Sequence, residues 1–549
     1  MGDYYDLGAH TWPITTASPE AQRWFDRGLN WTYGFNHVEA RRCFERAIEH
    51  DPGCAMAHWG VAYAAGPNYN RTWAMLEPAE LGKTVARTFA ASQRALALRG
   101  HAAPVEQALI TALTARYPRA VPVEDCSVWN DDYADAMRAV YHDYRDQLDV
   151  VALFAEALLN RTPWQLWDLP TGQPAAGAST LEARAVLERA LESLPARTHP
   201  GVLHMYIHLM EMSPEPERAL RVADWLRELV PDAGHLRHMP THIDVLCGNY
   251  HAVVAGNSAA IEADNKYLAR EGAMNFYTLY RVHDFHFKVY GAMFLGQYET
   301  ALRAADEVLG TIPRELVERT EPNMADWLEG FLGVRLHVLI RFGQWQAILD
   351  SPLPEDQALY CVTTALSHYA RGVALAATGR VAEAEAEQAR FAAAAARVPE
   401  SRMLFNNRCL DILEIARAML AGELEYRRGN EEDAFAQLRH AVALDDGLLY
   451  DEPWGWMQPA RHALGALLLE QGHVAEAAAV YRADLGLDGS LARACQHPEN
   501  IWSLHGYHEC LERLGEREPA ALLKQRLDLA AARADIPIHA SCYCRMAAD

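Results

Sequence analysis

The feature that most constrains this chain is a turn that recurs. GNYHA ends at Ala252, GQYETA at Ala301, GQWQA at Ala347, GRVAEA at Ala384, GNEEDA at Ala434 and GHVAEA at Ala477. Small or apolar residues follow the alanine at helical spacing: Ala305 and Pro313 after Ala301, Leu438 and Ala441 after Ala434, Tyr481 after Ala477. Ala219, with Ala223 and Pro231 behind it, carries the same pattern. Turns of one type at one phase require tight helical hairpins, each closed by a glycine ahead and often a proline behind. With 549 residues the chain exceeds one ordinary core, yet no Gly/Ser linker or Pro-rich tract divides it. A repeat array reconciles the two.

From Trp24 the chain reads WFDRGLNWTYGFNHVEARRCFERAIEHDP, with Trp24, Gly28, Trp31, Ala40, Phe44, Ala47 and Pro52 in register. This resembles the tetratricopeptide repeat, a helix-turn-helix unit of about 34 residues with a Trp, Gly, Tyr, Ala, Phe, Ala, Pro skeleton. Longer phrases resemble a bacterial family of long tetratricopeptide-repeat proteins: FNHVEA, CAMAHWG, HPGVLHMYIHLMEMSPEPERAL, GHLRHMPTHI, YDEPWGW and HPENIWSLHGYHECLERLG. The resemblance implies an all-α fold, a right-handed α-solenoid of helix-turn-helix repeats whose first helices line a concave groove. It departs at Asp284, where an Asn is expected, and at His505 and His508, where apolar or neutral residues are usual. The expected organisation is repeats over 1–100, an irregular helical segment over 101–198, histidine-rich repeats over 199–316, and further repeats with a tail over 317–549. Pro104–Ala115 reads as one helix and Asp131–Leu159 as a pair, with an insertion near Ala269–Arg281. The loop Pro163–Ser179, rich in Trp, Pro and Gly, is long enough to cover the groove with Trp164 and Trp167, or to latch two parts of the array together.

Several classes are excluded or disfavoured. No apolar run approaches 18 residues, and MGDYYDLGAH has neither a basic region nor an apolar core, so a cytoplasmic protein without a membrane partner is expected. A net charge of -23 opposes phosphate backbones and argues against nucleic acid. There is no Walker loop, no G-x-G-x-x-G after a strand, no G-x-S-x-G elbow and no H-E-x-x-H. The ten cysteines lack framework spacing and read as reduced, mostly buried thiols. Cys542 and Cys544 are the exception: they read as an inert tail, although one intervening residue would also suit a soft-metal clip or a redox pair in an extended segment.

Nine of the 24 histidines fall between His199 and Phe287. His204 and His208 are four apart, as are His238 and His242, while His283 and His286 are three apart. Residues at these spacings share a helix face, so each pair aims two imidazoles at one point. All six map to first helices of three successive hairpins, where they are positioned to converge. Gathered neutral imidazoles need either hydrogen-bond partners or a metal. Imidazole suits zinc, iron and copper rather than magnesium or calcium, and an all-nitrogen set favours copper, with six rings enough for a dinuclear centre. Glu211, on the face of His204 and His208, is a candidate ligand, catalytic base or ring-orienting partner. His37 and His58 are more distant candidates.

The expected activity is a metal-dependent oxidoreductase that binds a small organic molecule in an aromatic groove. The alternatives are a non-enzymatic adaptor that binds a peptide or protein through the groove, with the histidines as polar lining, and a zinc-dependent hydrolase using Glu211.

Overall fold

In the computed structural model the described residues are 4–545, so the first three residues of MGDYYDLGAH lie outside the description. The fold is all-α. Helices pack as sequence-adjacent antiparallel pairs, and strand pairing among the described residues is confined to short hairpins such as Trp167–Asp168 with Gln173–Pro174. Two compact units emerge: residues 1–243 with 262–266, and residues 244–261 with 267–549.

In the first unit Pro19–Tyr33 pairs with His37–His50, Ala55–Ala65 with Pro78–Leu98, and Pro104–Arg116 with Val128–Tyr144. Leu148–Leu159 then packs on Thr180–Leu191, and Pro200–Glu211 on Leu220–Leu226. Phe44 shows why the glycines of the skeleton matter. A Cβ at Gly28, in its own hairpin, or at Gly60, in the next, would approach its ring to 2.7 or 2.5 Å. The ring is thus a wedge that both first helices close upon, with zero exposed surface. Tyr481 plays the same part in the second unit, against Gly465 and Gly506.

The second unit contains Thr278–Phe294 with Tyr298–Thr311, Val334–Arg341 with Trp345–Asp350, and Cys361–Ala377 with Val381–Ala395. Cys409–Arg427 with Glu431–Asp446, Ala460–Glu470 with Val474–Asp484, and Ile501–Leu514 with Arg517–Ala531 complete it. The six turn glycines, Gly248, Gly296, Gly343, Gly379, Gly429 and Gly472, all have φ between 62° and 83°. Only glycine enters that left-handed region without steric cost, which is why the turn motif opens on it.

Two segments depart from the sequence reading. Gly234–His238 and Pro240–Leu246 are two short helices, because Pro240 has no N–H to donate and its ring clashes with the carbonyl four residues back. Helix Tyr250–Glu271 runs through the start of the expected insertion, leaving only 272–277 as a connector. Cys542 and Cys544 form a disulfide, while the other eight cysteines stay outside any disulfide among the described residues, and seven of those eight are buried. No helix among the described residues is long and apolar enough to cross a membrane.

Candidate metal centre

The first unit builds a histidine cluster around the helix Pro200–Glu211, every residue of which is buried. Its start is fixed by sequence: Pro200 occupies the first turn, and the Nδ1 of His199 accepts the Val202 N–H at 3.2 Å. Gly201 lets the helix approach Tyr33 so closely that a Cβ would lie 2.6 Å from that ring. The approach brings the Nδ1 of His204 to 2.6 Å from the Tyr33 carbonyl. A carbonyl only accepts, so Nδ1 carries the proton and Nε2 of His204 keeps its lone pair.

One turn on, His208 is set the same way by a different partner. Its Nδ1 donates to Oε1 of Glu211 at 2.9 Å, while the Nδ1 of His242 donates to Oε2 at 2.7 Å. Glu211 therefore orients two rings at once, an arrangement that commonly backs metal-binding imidazoles. The rings of His204 and His208 lie 4.6 Å apart by centroid, and the Nε2 atoms of both are buried without a hydrogen-bond partner among the described residues. His235, on the short helix Gly234–His238, closes the group: His204, His208 and His235 each offer a nitrogen, all within 4.8 Å of one another. Nitrogens sharing one ion at about 2.05 Å in tetrahedral array stand ~3.3 Å apart, so a modest inward shift completes the site. His238 and His242 stand beside this group, joined through their Nε2 atoms at 2.6 Å, with His242 held by Glu211.

Aromatic rings wall the cluster. Phe35 stacks on His208 at 5.7 Å and on His235 at 5.4 Å, and Tyr69 and Trp164 lie 4.7 and 5.9 Å from His208. Trp164 comes from the long loop, whose other tryptophan, Trp167, donates its indole N–H to the Leu209 carbonyl at 2.7 Å. The loop thus meets the helix Pro200–Glu211 at both tryptophans. Burial pushes His204 down to about 3, and burial together with the neighbouring imidazoles holds His208 well below the usual range. Both rings are neutral at physiological pH, the form that binds metals.

A second group in this unit answers its own needs. Asp149 accepts from the Tyr33 hydroxyl at 2.7 Å and lies 3.0 Å from Nε2 of His10 and 3.2 Å from Nε2 of His199. Burial alone would raise its carboxyl, but the two imidazoles hold it well below the ordinary range. With the His199 Nδ1 already committed to Val202, this triad reads as a hydrogen-bonded anchor for the leading segment.

His283 and His286 stand in the second unit on Thr278–Phe294. There His283 meets Phe287 and Phe405 edge-on, and His286 meets Phe331 at 5.1 Å. Of the other candidates, His37 is half-buried with both ring nitrogens covered and is pushed down to about 3 by desolvation and Arg116, whereas His58 bonds the Pro52 carbonyl at 3.2 Å. Tyr206 is tied to Glu188 at 3.1 Å and Arg281 to the Thr311 carbonyl at 3.0 Å. The residue that sequence reasoning missed is His235. It lies three before His238, the same spacing that flags His283 and His286, so the signal was present.

Fold and site together define a class: an all-helical protein of tetratricopeptide-like hairpins with a buried polyhistidine cluster. No protein-family model matches the chain, and no curated protein matches it. Among solved structures it is similar to human IFIT1, seen as a dimer with m7Gppp-AAAA, at 11% identity over 87% of this chain and 90% of that one, TM-score 0.32. Yeast Tom70 gives 10% identity over 92% and 98%, TM-score 0.28. A chain of Naa15/Naa10 bound to HypK-THB gives 13% over 93% and 70%, TM-score 0.22. Likeness this faint carries nothing about chemistry or partners; the repeat architecture stands on the chain's own hairpins and turns.

Proposed function

We propose that this protein is a helical-repeat binding scaffold whose first unit is organised around a transition-metal ion held by His204, His208 and His235. The observation that carries the metal is the pair of buried Nε2 atoms of His204 and His208, each left without a partner among the described residues while its Nδ1 is fixed by a carbonyl or a carboxylate. Leaving two such acceptors unsatisfied costs about 1–3 kcal/mol each. A bound cation removes that cost. An all-imidazole set favours copper, with zinc and iron next. When bound, the ion would supply either structural cross-linking or Lewis-acid and redox chemistry. Complete burial of His204 and His208 favours the structural role, because an organic substrate has no open approach to these rings.

The oxidoreductase reading is the second one, supported by the aromatic walls of Phe35, Tyr69 and Trp164 around a nitrogen-only donor set. Its dinuclear form would draw further ligands from His238 and His242, which stand beside the first three rings in the same unit. The zinc-hydrolase reading is weaker, because Glu211 spends both oxygens on imidazoles. The scaffold reading takes a peptide or protein as partner.

Metal analysis of the protein expressed without a histidine tag tests this. The expected result is about one transition-metal equivalent per chain, lost in His204→Ala and His208→Ala with helical circular dichroism retained. Two equivalents of copper with oxygen uptake on a small organic substrate would move the assignment to the oxidoreductase. A metal-free protein after growth and purification in copper, zinc and iron would end the metal reading.

A further inference from the structure

Residues Ile536–Arg545 form no helix, yet Ala540, Ser541 and Cys544 are buried. What buries them is a succession of second-unit helices. Arg341, at the end of Val334–Arg341, donates to the Ser541 carbonyl, and Arg427, at the end of Cys409–Arg427, donates to the Cys544 carbonyl. The Ser541 hydroxyl donates to the His462 carbonyl at 2.9 Å and meets the Tyr481 hydroxyl at 2.5 Å. Arg545 pairs with Glu509 through 2.7 and 2.9 Å contacts. Tyr543 stands edge-on to Trp502 at 6.1 Å and fills the space over Gly343. Four of the five helices touched here are the first helices of their hairpins, so the segment runs along one face of successive repeats.

The recognition is of a kind that suits an exchangeable ligand. Two arginines grip main-chain carbonyls, which any peptide offers, while the Ser541 hydroxyl and two small cysteine side chains in a turn supply fit. Cys542 and Cys544 enter a cavity lined by Tyr369, Met419, Glu423, Trp456 and His462. Their disulfide closes a three-residue ring with Cα atoms 5.2 Å apart, which limits the conformations the segment can lose on seating. Arg341 is 3% exposed, and its acceptors are neutral. Its bonds are to His462 Nδ1 at 2.8 Å and to the Ser541 carbonyl, with its guanidinium 4.0 Å from the Trp502 ring. Withdraw the segment and a buried cation loses an acceptor, a costly state that demands another carbonyl.

We propose that this face of the second unit is a peptide groove, that its ligand is a peptide of the pattern Ser, small, aromatic, small, Arg that turns after the first small residue, as the Arg545 N–H does on the Cys542 carbonyl at 3.2 Å, and that residues 536–545 are its built-in occupant. The inference rests on the scaffold reading and is independent of the metal, so its failure leaves the metal count untouched.

The probe is a fluorescein-labelled synthetic peptide of residues 533–549 in its disulfide-closed form. The receptor is full-length Ser541→Trp, in which an indole replaces a side chain 2% exposed and the segment loses its seat. Saturable binding, competed by unlabelled peptide and at least tenfold tighter than to the unaltered chain, is expected. A peptide carrying Ser541→Trp should not bind, and Arg427→Gln in the receptor should weaken binding tenfold or more. If Ser541→Trp fails to fold, the unaltered chain with a protease site inserted between the exposed Ala532 and Arg533 is cut after folding, and the labelled peptide is exchanged in. A folded, opened receptor that binds no peptide, or that binds the altered peptide equally well, overturns the proposal.

Discussion

At Glu211 one carboxylate fixes the proton positions of two rings. Replacing it with Gln leaves one oxygen to accept a ring N–H and turns an amide NH2 towards the other. One imidazole must then change tautomer, and if that ring is His208 its Nε2 becomes a donor and ceases to be a ligand. Glu211→Gln is therefore expected to lower metal affinity about 10- to 100-fold with little loss of helix, read by competition with a chromophoric chelator. Unchanged affinity would mean that the tautomers are set elsewhere. The backbone reports on the same place. Phe35 at φ 55° and Trp164 at φ 60° adopt left-handed conformations that side chains disfavour, and both rings lie against His208. Strain of about 1–3 kcal/mol persists only where the surroundings over-determine it, as at built sites. In the second unit, Asp445 accepts the Ala460 N–H at 3.0 Å and the Trp454 indole at 3.1 Å, and burial pushes its carboxyl up to about 7. A raised folded pKa means the folded chain holds a proton that the unfolded chain releases. Its contribution is full below the unfolded value near 4 and is lost as pH rises to 7, at most roughly 4 kcal/mol. Urea denaturation at pH 4.5 and 7.5 should show Asp445→Asn losing less stability than the parent over that interval. Parallel losses would place the proton on another group.

The turns carry the element scale. At Gly379, φ 77°, an added Cβ would meet nothing within 4 Å, whereas a Cβ at Gly343, φ 62°, would lie 2.8 Å from Tyr543. Gly379→Ala should thus cost only the left-handed penalty, about 1–2 kcal/mol. Gly343→Ala adds a clash and should also speed proteolysis at Arg545 and Arg533, followed by mass spectrometry. Equal costs and equal cleavage would show that the segment yields freely. These hairpins were legible because glycine, small residues and an aromatic wedge recur at fixed offsets along the chain. Gly234–Leu246 was not, because a helical-spacing argument applied to His238 and His242 runs across Pro240. Nor was the length of Tyr250–Glu271, whose polar end carries no stop signal before Gly272.

Over the whole molecule, legibility ends where contacts are far apart in sequence. Spacing put His204 and His208 on one face, but nothing local to them announced that Tyr33, 171 residues before His204, would take the Nδ1 proton. The carbonyl grip on residues 541 and 544 was equally silent, since Arg341 and Arg427 bond to backbone that every sequence shares. Charge, by contrast, is a property of the whole chain and needs no contact map. With 73 acidic and 50 basic side chains, the folded protein compresses like charges. Raising ionic strength from 0.01 to 0.1 M shortens the screening length from about 30 to about 10 Å, which relieves repulsion between distant carboxylates. The same salt weakens exposed ion pairs such as Arg380 with Glu383 and Lys524 with Asp528, but such pairs are worth about 0–1 kcal/mol each. Long-range repulsion acts on every unpaired acid at once, so it should win. The melting temperature at constant pH 7.5 is expected to rise by several degrees as sodium chloride increases over this range. A falling melting temperature would show that local pairs outweigh the net charge, and neutralising Glu383 and Asp528 would then flatten the salt response.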